Sequence, residues 1–359
     1  MKYSGLELLE KLSLLFGPSS CEGEVADFIV GQIEGDCDSY TRDRLGNVIA
    51  KVSGRGIEYN AESPKKVMIC AHMDEVGFMI SDITEDGYLK FMTIGGISPA
   101  VLLDKRVIIG EGDKRINGII SSKAIHMQSV EERTKVTPID KMYIDIGASS
   151  EAEAREYVEI GTVGVFDSDF ERFGAEDKLI KGKALDDRLG CTIMIDLMRQ
   201  LHASHKSLEY DVYFAFTCCE EIGISGAVVA AANTICPDAA IVLESTAVSD
   251  IYGVPESSSV AKLGDGGVIS LMDRSTIYDR NMVEIALSVA EMRNIKAQIK
   301  RYVSGGNDSA NIQRSGKGVK VLALSAPSRY IHSASNVVHA DDIEAMRELV
   351  YALVAGGKL

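Results

Sequence analysis

An α/β protein interrupted by a β-rich insertion is what this sequence predicts, and three observations carry that reading. From Asp186 onward, helical and strand-like runs alternate, the pattern that folds as α/β. Before Val76 the chain shows the same mixture of amphipathic helices and apolar strands. Between Val76 and Phe170 the texture changes to short β-like runs, parted by turns such as Glu85-Asp86-Gly87 and Gly110-Glu111-Gly112-Asp113. The expected organisation is a discontinuous α/β domain, 1–75 and 171–359, around an inserted β-rich domain, 76–170. The 359 residues suffice for two such units at roughly 100–200 residues each.

The elements follow in order. Residues 5–16 place Leu8, Leu9, Leu12, Leu15 and Phe16 at helical spacing, with Ser4 as N-cap and Gly17 as the stop. Residues 22–34 repeat the pattern with Val25, Phe28, Ile29 and Ile33. Asn47–Val52 and Lys66–His72 read as strands, the second apolar enough to be buried on both faces. Within the insertion VGFMISDI, YLKFM, RVIIG, INGII, KMYIDI and TVGVF are the strand candidates, and only Ser150–Val158 looks helical. A helix over 186–202, a strand over 211–217, a helix over 222–232 and a strand over 239–243 come next. A strand, a helix and a strand then lead to a last helix near 341–356.

Composition narrows the partners. Lys and Arg number 38 against 53 Asp and Glu, a net charge of −15. That balance argues against a nucleic-acid groove and against an anionic membrane surface, both of which call for basic residues. The seven cysteines form no CxxC pair, and several lie in apolar runs, as reduced thiols of a cytoplasmic protein do. The start, MKYSGLELLEKLSLLFG, carries two Glu and makes a poor signal peptide. No apolar run approaches the roughly 20 residues of a membrane span. Only six His are present, so a metal site would draw mostly on carboxylates.

Five constellations stand out. His72 and Asp74 follow a buried strand, at the carboxyl end where open α/β sheets bind ligands. Residues i and i+2 of a strand share a face, so Asp74 is placed to orient the His72 imidazole. Asp186 and Asp187 open a helix, where Asp also serves as an ordinary N-cap. Glu220 and Glu221 follow the apolar strand YDVYFAFT; paired acids there either compensate a helix dipole or supply a ligand and a base. Glu244 ends the run AAIVLE, and His332 follows the strand VKVLALS. Acids or His thus sit at the tips of four apolar strands and at one helix start. Two His with several carboxylates match a hydrolytic zinc or cobalt site.

The other candidates read as structural. His202 and His205 sit near a helix C-terminus, where His favours the dipole. His126 lies in the insertion and His339 among polar residues. Gly264-Asp265-Gly266-Gly267 lacks the Lys of a phosphate loop and reads as a turn. Ser304-Gly305-Gly306-Asn307-Asp308-Ser309 reads as a capped turn into a helix, its Gly pair also leaving room for a substrate.

These motifs together resemble the tetrahedral (TET) aminopeptidases, the glutamyl and deblocking dimetal aminopeptidases of the zinc exopeptidase superfamily. The resemblance runs through Gly17 to Glu22, DRLGN at 43–47, AHMDEVGF, KALDDRLG, EEIG, GGNDSAN and RYIHSASNVV, in that order. It implies a mixed-sheet catalytic domain with an inserted, barrel-like dimerisation domain, and dimers assembled into a hollow dodecamer. It implies that two divalent ions, zinc or cobalt, are held by His72, Asp186, Glu221, Glu244 and His332, with Asp186 bridging. Glu220 resembles the general base and Asp74 the acid that orients His72. Many members carry Asp where this chain has Glu244, which is one methylene longer.

The activity this implies is hydrolysis of N-terminal residues from short peptides. Three rivals stay open at this point: a carboxypeptidase or deacylase on the same framework, a glycosidase using Glu220 and Glu221, and a scaffold with a degenerate site.

Overall fold

The computed structural model describes residues 1–56, 59–204 and 208–357. The chain opens with helices α1 (Gly5–Leu14) and α2 (Gly23–Ile33). Ser4 stands at the N-cap of α1, but its side chain makes no capping bond, and the helix stops at Leu14 rather than at Gly17. Strands β1 (Ser39–Arg42), β2 (Val48–Val52) and β3 (Lys66–His72) follow. β1 escaped the sequence reading because its four residues are all exposed and carry no apolar pattern.

The insertion is a closed barrel. It is built from β4 (Gly77–Ile83), β5 (Leu89–Ile94), β6 (Arg106–Ile109), β7 (Ile116–Ser121), β8 (Tyr143–Asp145) and β9 (Val163–Phe166). Closure removes the free edges that six short strands would otherwise expose. The barrel packs around its own apolar cluster, with Phe78 edge-on to both Phe91 and Phe166. The helix expected over 150–158 shrinks to α3 (Glu151–Ala154), capped by the Ser150 hydroxyl.

After the barrel come β10 (Glu171–Phe173), β11 (Leu179–Gly182), α4 (Leu185–Ala203) and β12 (Asp211–Thr217). α5 (Gly226–Val229) runs into a π-helical turn over Ala230–Ile235, and β13 (Ala239–Ala247) follows. β14 (Gly267–Ile269), α6 (Arg280–Arg293), β15 (Ala297–Ile299), α7 (Ser309–Gln313), β16 (Lys320–Ser328), β17 (Asn336–His339) and α8 (Ala340–Ala355) complete the chain.

Eight strands form the main sheet in the order β1-β2-β12-β3-β13-β16-β14-β15. Its four central strands, β12, β3, β13 and β16, are mutually parallel, so their carboxyl ends share one edge. The register aligns Thr217 with His72, and Val242 with Cys70 two residues earlier. Glu244 therefore lies level with His72. All but the first residue of β3 are buried, consistent with its apolar run, and each large apolar side chain so buried contributes about 1.5–3 kcal/mol. One apolar cluster joins this sheet to α1, α2, α4, α6 and α8.

Three local readings are corrected. The helix expected over 222–232 starts only at Gly226, because Cys219, Gly223 and Ser225 take positive φ and bend residues 219–225 into a turn. Helical backbone in α4 is delayed past Asp186 and Asp187, which have non-helical dihedrals and a cis peptide bond between them. Glu244 does not end its strand, since β13 continues to Ala247.

Candidate metal centre

The parallel edge gathers the strand-tip acids. His72, at the end of β3, is 1% exposed. Its Nδ1 lies 3.1 Å from the backbone oxygen of Asp74 and 3.4 Å from Asp74 Oδ1. That leaves Nε2 facing Asp186 Oδ1 at 3.5 Å and Glu244 Oε2 at 3.9 Å. His332, on the turn after β16, points its Nδ1 at the Gly96 carbonyl, 2.9 Å away at the barrel's margin. Its Nε2 faces Glu221 Oε2 at 3.2 Å and Asp186 Oδ2 at 3.4 Å.

Two ligand triads result: His72, Asp186 and Glu244, and Asp186, Glu221 and His332. Within each, one donor atom per residue lies within 4.8 Å of the others. Asp186 belongs to both, one oxygen toward each imidazole. Its Oδ1 is buried and has no hydrogen-bond partner among the described residues, since 3.5 Å to His72 is too long for one. Buried polar atoms are seldom left unpaired, and an oxygen left so between an imidazole and a second carboxylate suits a cation. The mixed imidazole and carboxylate donors suit a borderline divalent ion.

The electrostatics agree. Burial pushes Glu220 and Glu244 well above the ordinary carboxylate range. Burial, then the Asp186 charge, pushes Glu221 up to about 8. Burial alone would lower His332, but Asp186 and Glu221 outweigh it and raise the imidazole to about 10. His72 moves the same way, Asp186 and Asp74 overcoming its burial. Asp186 is lowered despite burial by the two imidazoles. Protons alone would thus be shared among groups crowded at hydrogen-bond range. Two buried cations nearby are engaged elsewhere: Lys183 binds Glu75 at 2.6 Å, and Arg188 Nη2 lies 3.5 Å from the same carboxylate.

Asp74 faces the turn after β12 as well as His72. Its Oδ1 accepts the Glu220 amide at 3.0 Å, and its Oδ2 accepts the Glu221 amide at 3.1 Å and the Ser19 hydroxyl at 2.6 Å. Glu220 thereby sits beside the triads, half-buried.

Two acids whose place in the sequence an ordinary helix cap would explain stand elsewhere in the fold. Asp187 is fully buried, with one oxygen on the Gly190 amide and the other without a partner among the described residues. Asp308 does not cap α7 with its side chain; its carboxylate takes the Thr217 hydroxyl at 2.9 Å and also the Ser225 hydroxyl. Its signal was an acid beside a Gly pair, which a cap explains equally well. Among the described residues, the His expected to be structural belong to neither triad. His339 caps α8 by accepting the Asp341 amide, His126 lies in an exposed loop turn, and His205 falls outside the described residues.

Comparison with known proteins follows the same lines. Residues 46–349 match the family described as M42 glutamyl aminopeptidase. A protein of Acetivibrio thermocellus named as an aminopeptidase is 35% identical over 97% of this chain and 98% of its own length. The crystal structure of a TET aminopeptidase from a marine-sediment Thaumarchaeota archaeon superposes with a TM-score of 0.91 at 33% identity, covering 98% of this chain and 95% of that one. A Pyrococcus horikoshii TET1 peptidase, which can assemble into a tetrahedron or a large octahedral shell, gives 0.83 at 33% identity, over 97% of this chain and 98% of its own.

Proposed function

We propose, on the premise that this chain belongs to the M42 glutamyl aminopeptidase family and is a metal-dependent aminopeptidase, that it removes N-terminal residues from short peptides using two divalent ions, which His72, Asp186, Glu221, Glu244 and His332 would hold. Family membership favours this reading over the carboxypeptidase, deacylase and glycosidase ones, and the two complete ligand triads favour it over a degenerate scaffold. The observation that carries the proposal is the position of Asp186, one oxygen toward each imidazole. His72 and Glu244 would complete one ion's ligands, Glu221 and His332 the other's. Zinc or cobalt suits that donor set.

When bound, the ions lower the pKa of water and polarise a carbonyl. The remaining work falls to side chains. Glu220 is the general base: its half-buried carboxyl stands beside the ligand triads without belonging to either, and burial raises its affinity for a proton, as taking one from water requires. The same carboxyl then returns that proton to the departing amine. Asp74 positions both partners, with its carboxylate against His72 and on the Glu220 and Glu221 amides.

The proposed assembly is a homo-oligomer, a dodecamer built from six dimers, with residues 76–170 as the dimerisation domain and residues 1–75 and 171–359 as the catalytic one. Exposed Met92, Ile119, Ile125 and Met127 on the barrel unit support an interface there. Among the described residues no helix is long and apolar enough to cross a membrane. We place the protein in the cytoplasm, on its seven free thiols.

The test is a panel of aminoacyl-nitroanilides against N-acyl amino acids, run on chelated protein with zinc, cobalt or manganese restored. Turnover of free-amine substrates only, lost on chelation and recovered with metal, is expected. Activity that survives thorough chelation overturns the proposal.

A further inference from the structure

Cys218 and Cys219 end the run that leads from β12 into Glu220, and nothing in the proposed chemistry uses them. We propose that they form, with Glu22, a third cation site for a thiophilic divalent ion such as zinc, cobalt or cadmium. One donor atom from each of the three residues falls within 4.8 Å of the others, and all three residues are buried.

Each donor has reason to be there. Both hydrogen bonds that Glu22 accepts from backbone amides, Ser20 at 3.0 Å and Cys219 at 2.9 Å, land on Oε1, which leaves Oε2 for a ligand. Glu22 is 5% exposed, and among the described residues no Lys, Arg or His pairs with it. Its electrostatic neighbour is another acid, Asp74. A buried carboxylate near a second one, without a cationic partner, is relieved by a proton or by a bound cation. The Cys219 sulfur lies 3.3 Å from the Ser20 hydroxyl and 3.7 Å from Glu22 Oε1. The Cys218 sulfur lies 3.2 Å from Asn47 Oδ1, a further neutral oxygen beside the site. Gly226 lets its backbone pack closely against these groups, since a Cβ there would stand 2.9 Å from the Cys218 sulfur and 2.1 Å from Asn47 Oδ1.

Coordination is a proton exchange. Each thiol releases its proton to solvent, and the two sulfur lone pairs and one Glu22 oxygen bind the ion. Thiolate donors make this site softer than the two triads, which contain none.

That difference supplies the test. Metal-free protein is titrated with cobalt, and the near-ultraviolet thiolate-to-cobalt charge-transfer band is followed. Imidazole and carboxylate ligands cannot produce this band. The band is expected in the unaltered protein and in Cys236→Ser, whose thiol is exposed and remote in sequence. It should vanish in Cys218→Ser/Cys219→Ser. Glu22→Gln keeps an oxygen acceptor for the two amides and should weaken the site by ~10-fold or more, the loss that even an indirect metal contact incurs. No band at saturating cobalt, or a band that survives in the double variant, overturns the proposal. Should the double variant fail to fold, Cys219→Ser alone must still halve the band. The result is independent of peptide hydrolysis, so either reading fails without the other.

Discussion

The carboxylate of Asp74 accepts the backbone amide of Glu220 at 3.0 Å. One short acid thus ties the end of β3 to the turn after β12. The residue that faces His72 also sets where the proposed base stands. Parallel strands make the link possible, because Thr217 and His72 are in register and their successors leave the sheet side by side.

Asp74→Asn tests that double duty. Asp74 only accepts, from two amides and the Ser19 hydroxyl. An Asn side chain has a single acceptor atom, so at least one of those donors would face an NH₂ group. A fall of about 10–100-fold in kcat/KM or in metal affinity is expected, with circular dichroism unchanged. Full activity in the variant would remove Asp74 from the machinery.

Glu220→Gln separates base from ligand. Glu220 belongs to neither ligand triad, whereas Glu221 belongs to one. Removing the base should lower kcat by about 10²–10⁴-fold. Metal content by elemental analysis should stay that of the unaltered protein. Glu221→Gln should instead lose metal. If Glu220→Gln loses metal and Glu221→Gln does not, the two roles are reversed.

Much of this was legible in sequence, for a physical reason. Apolar strands that end in acids or His are costly unless those groups meet something, and here His72, Glu221 and His332 meet around Asp186. The division into two triads was not legible. It depends on the level of Glu244 in a parallel register and on which oxygen of Asp186 faces which ring. Helical periodicity also misled at 222–232, where local positive φ at Gly223 and Ser225 delays the helix. Asp308 and Asp187 stayed hidden because an acid at a helix start satisfies the capping rule whether or not it does anything further.

Glu75→Gln probes the scaffold instead of the chemistry. Lys183 Nζ binds both oxygens of Glu75, at 2.6 and 2.8 Å, and all three partners, Lys183, Arg188 and Glu75, are buried. Arg188 further donates to the carbonyls of Met73 and Leu12, joining α4 to the segment that carries Asp74. Neutralising Glu75 leaves two cations buried without their counter-charge, a loss of about 3–5 kcal/mol. Chemical denaturation of the metal-loaded protein should show it. A change below about 1 kcal/mol would mean that water replaces the lost partner.

Assembly is checked by light scattering. Twelve chains of 38.8 kDa each are expected, dissociating when Met92 and Ile119 on the barrel are both replaced by Lys. A monomer in the unaltered protein would contradict the role proposed for the barrel.

Metal and pH are coupled with a definite sign. Glu221 is pushed up to about 8 by burial and then Asp186, from an ordinary value of 4.5. Between those values the folded, metal-free protein keeps a proton that the unfolded chain has lost. His332, raised to about 10 from 6.5 by Asp186 and Glu221 against its burial, does the same over its own window. Both groups therefore stabilise the metal-free fold most at low pH, and that contribution fades as pH rises through the two windows. A cation must displace the same protons, so its affinity grows as they become easier to remove. Cation at a hundredfold excess over Kd adds about 2.7 kcal/mol of stability. The difference in Tm between zinc-saturated and chelated protein should widen steadily from about pH 6 to about pH 8. A difference that is flat or narrows over that range would show that the ions do not replace protons on Glu221 and His332.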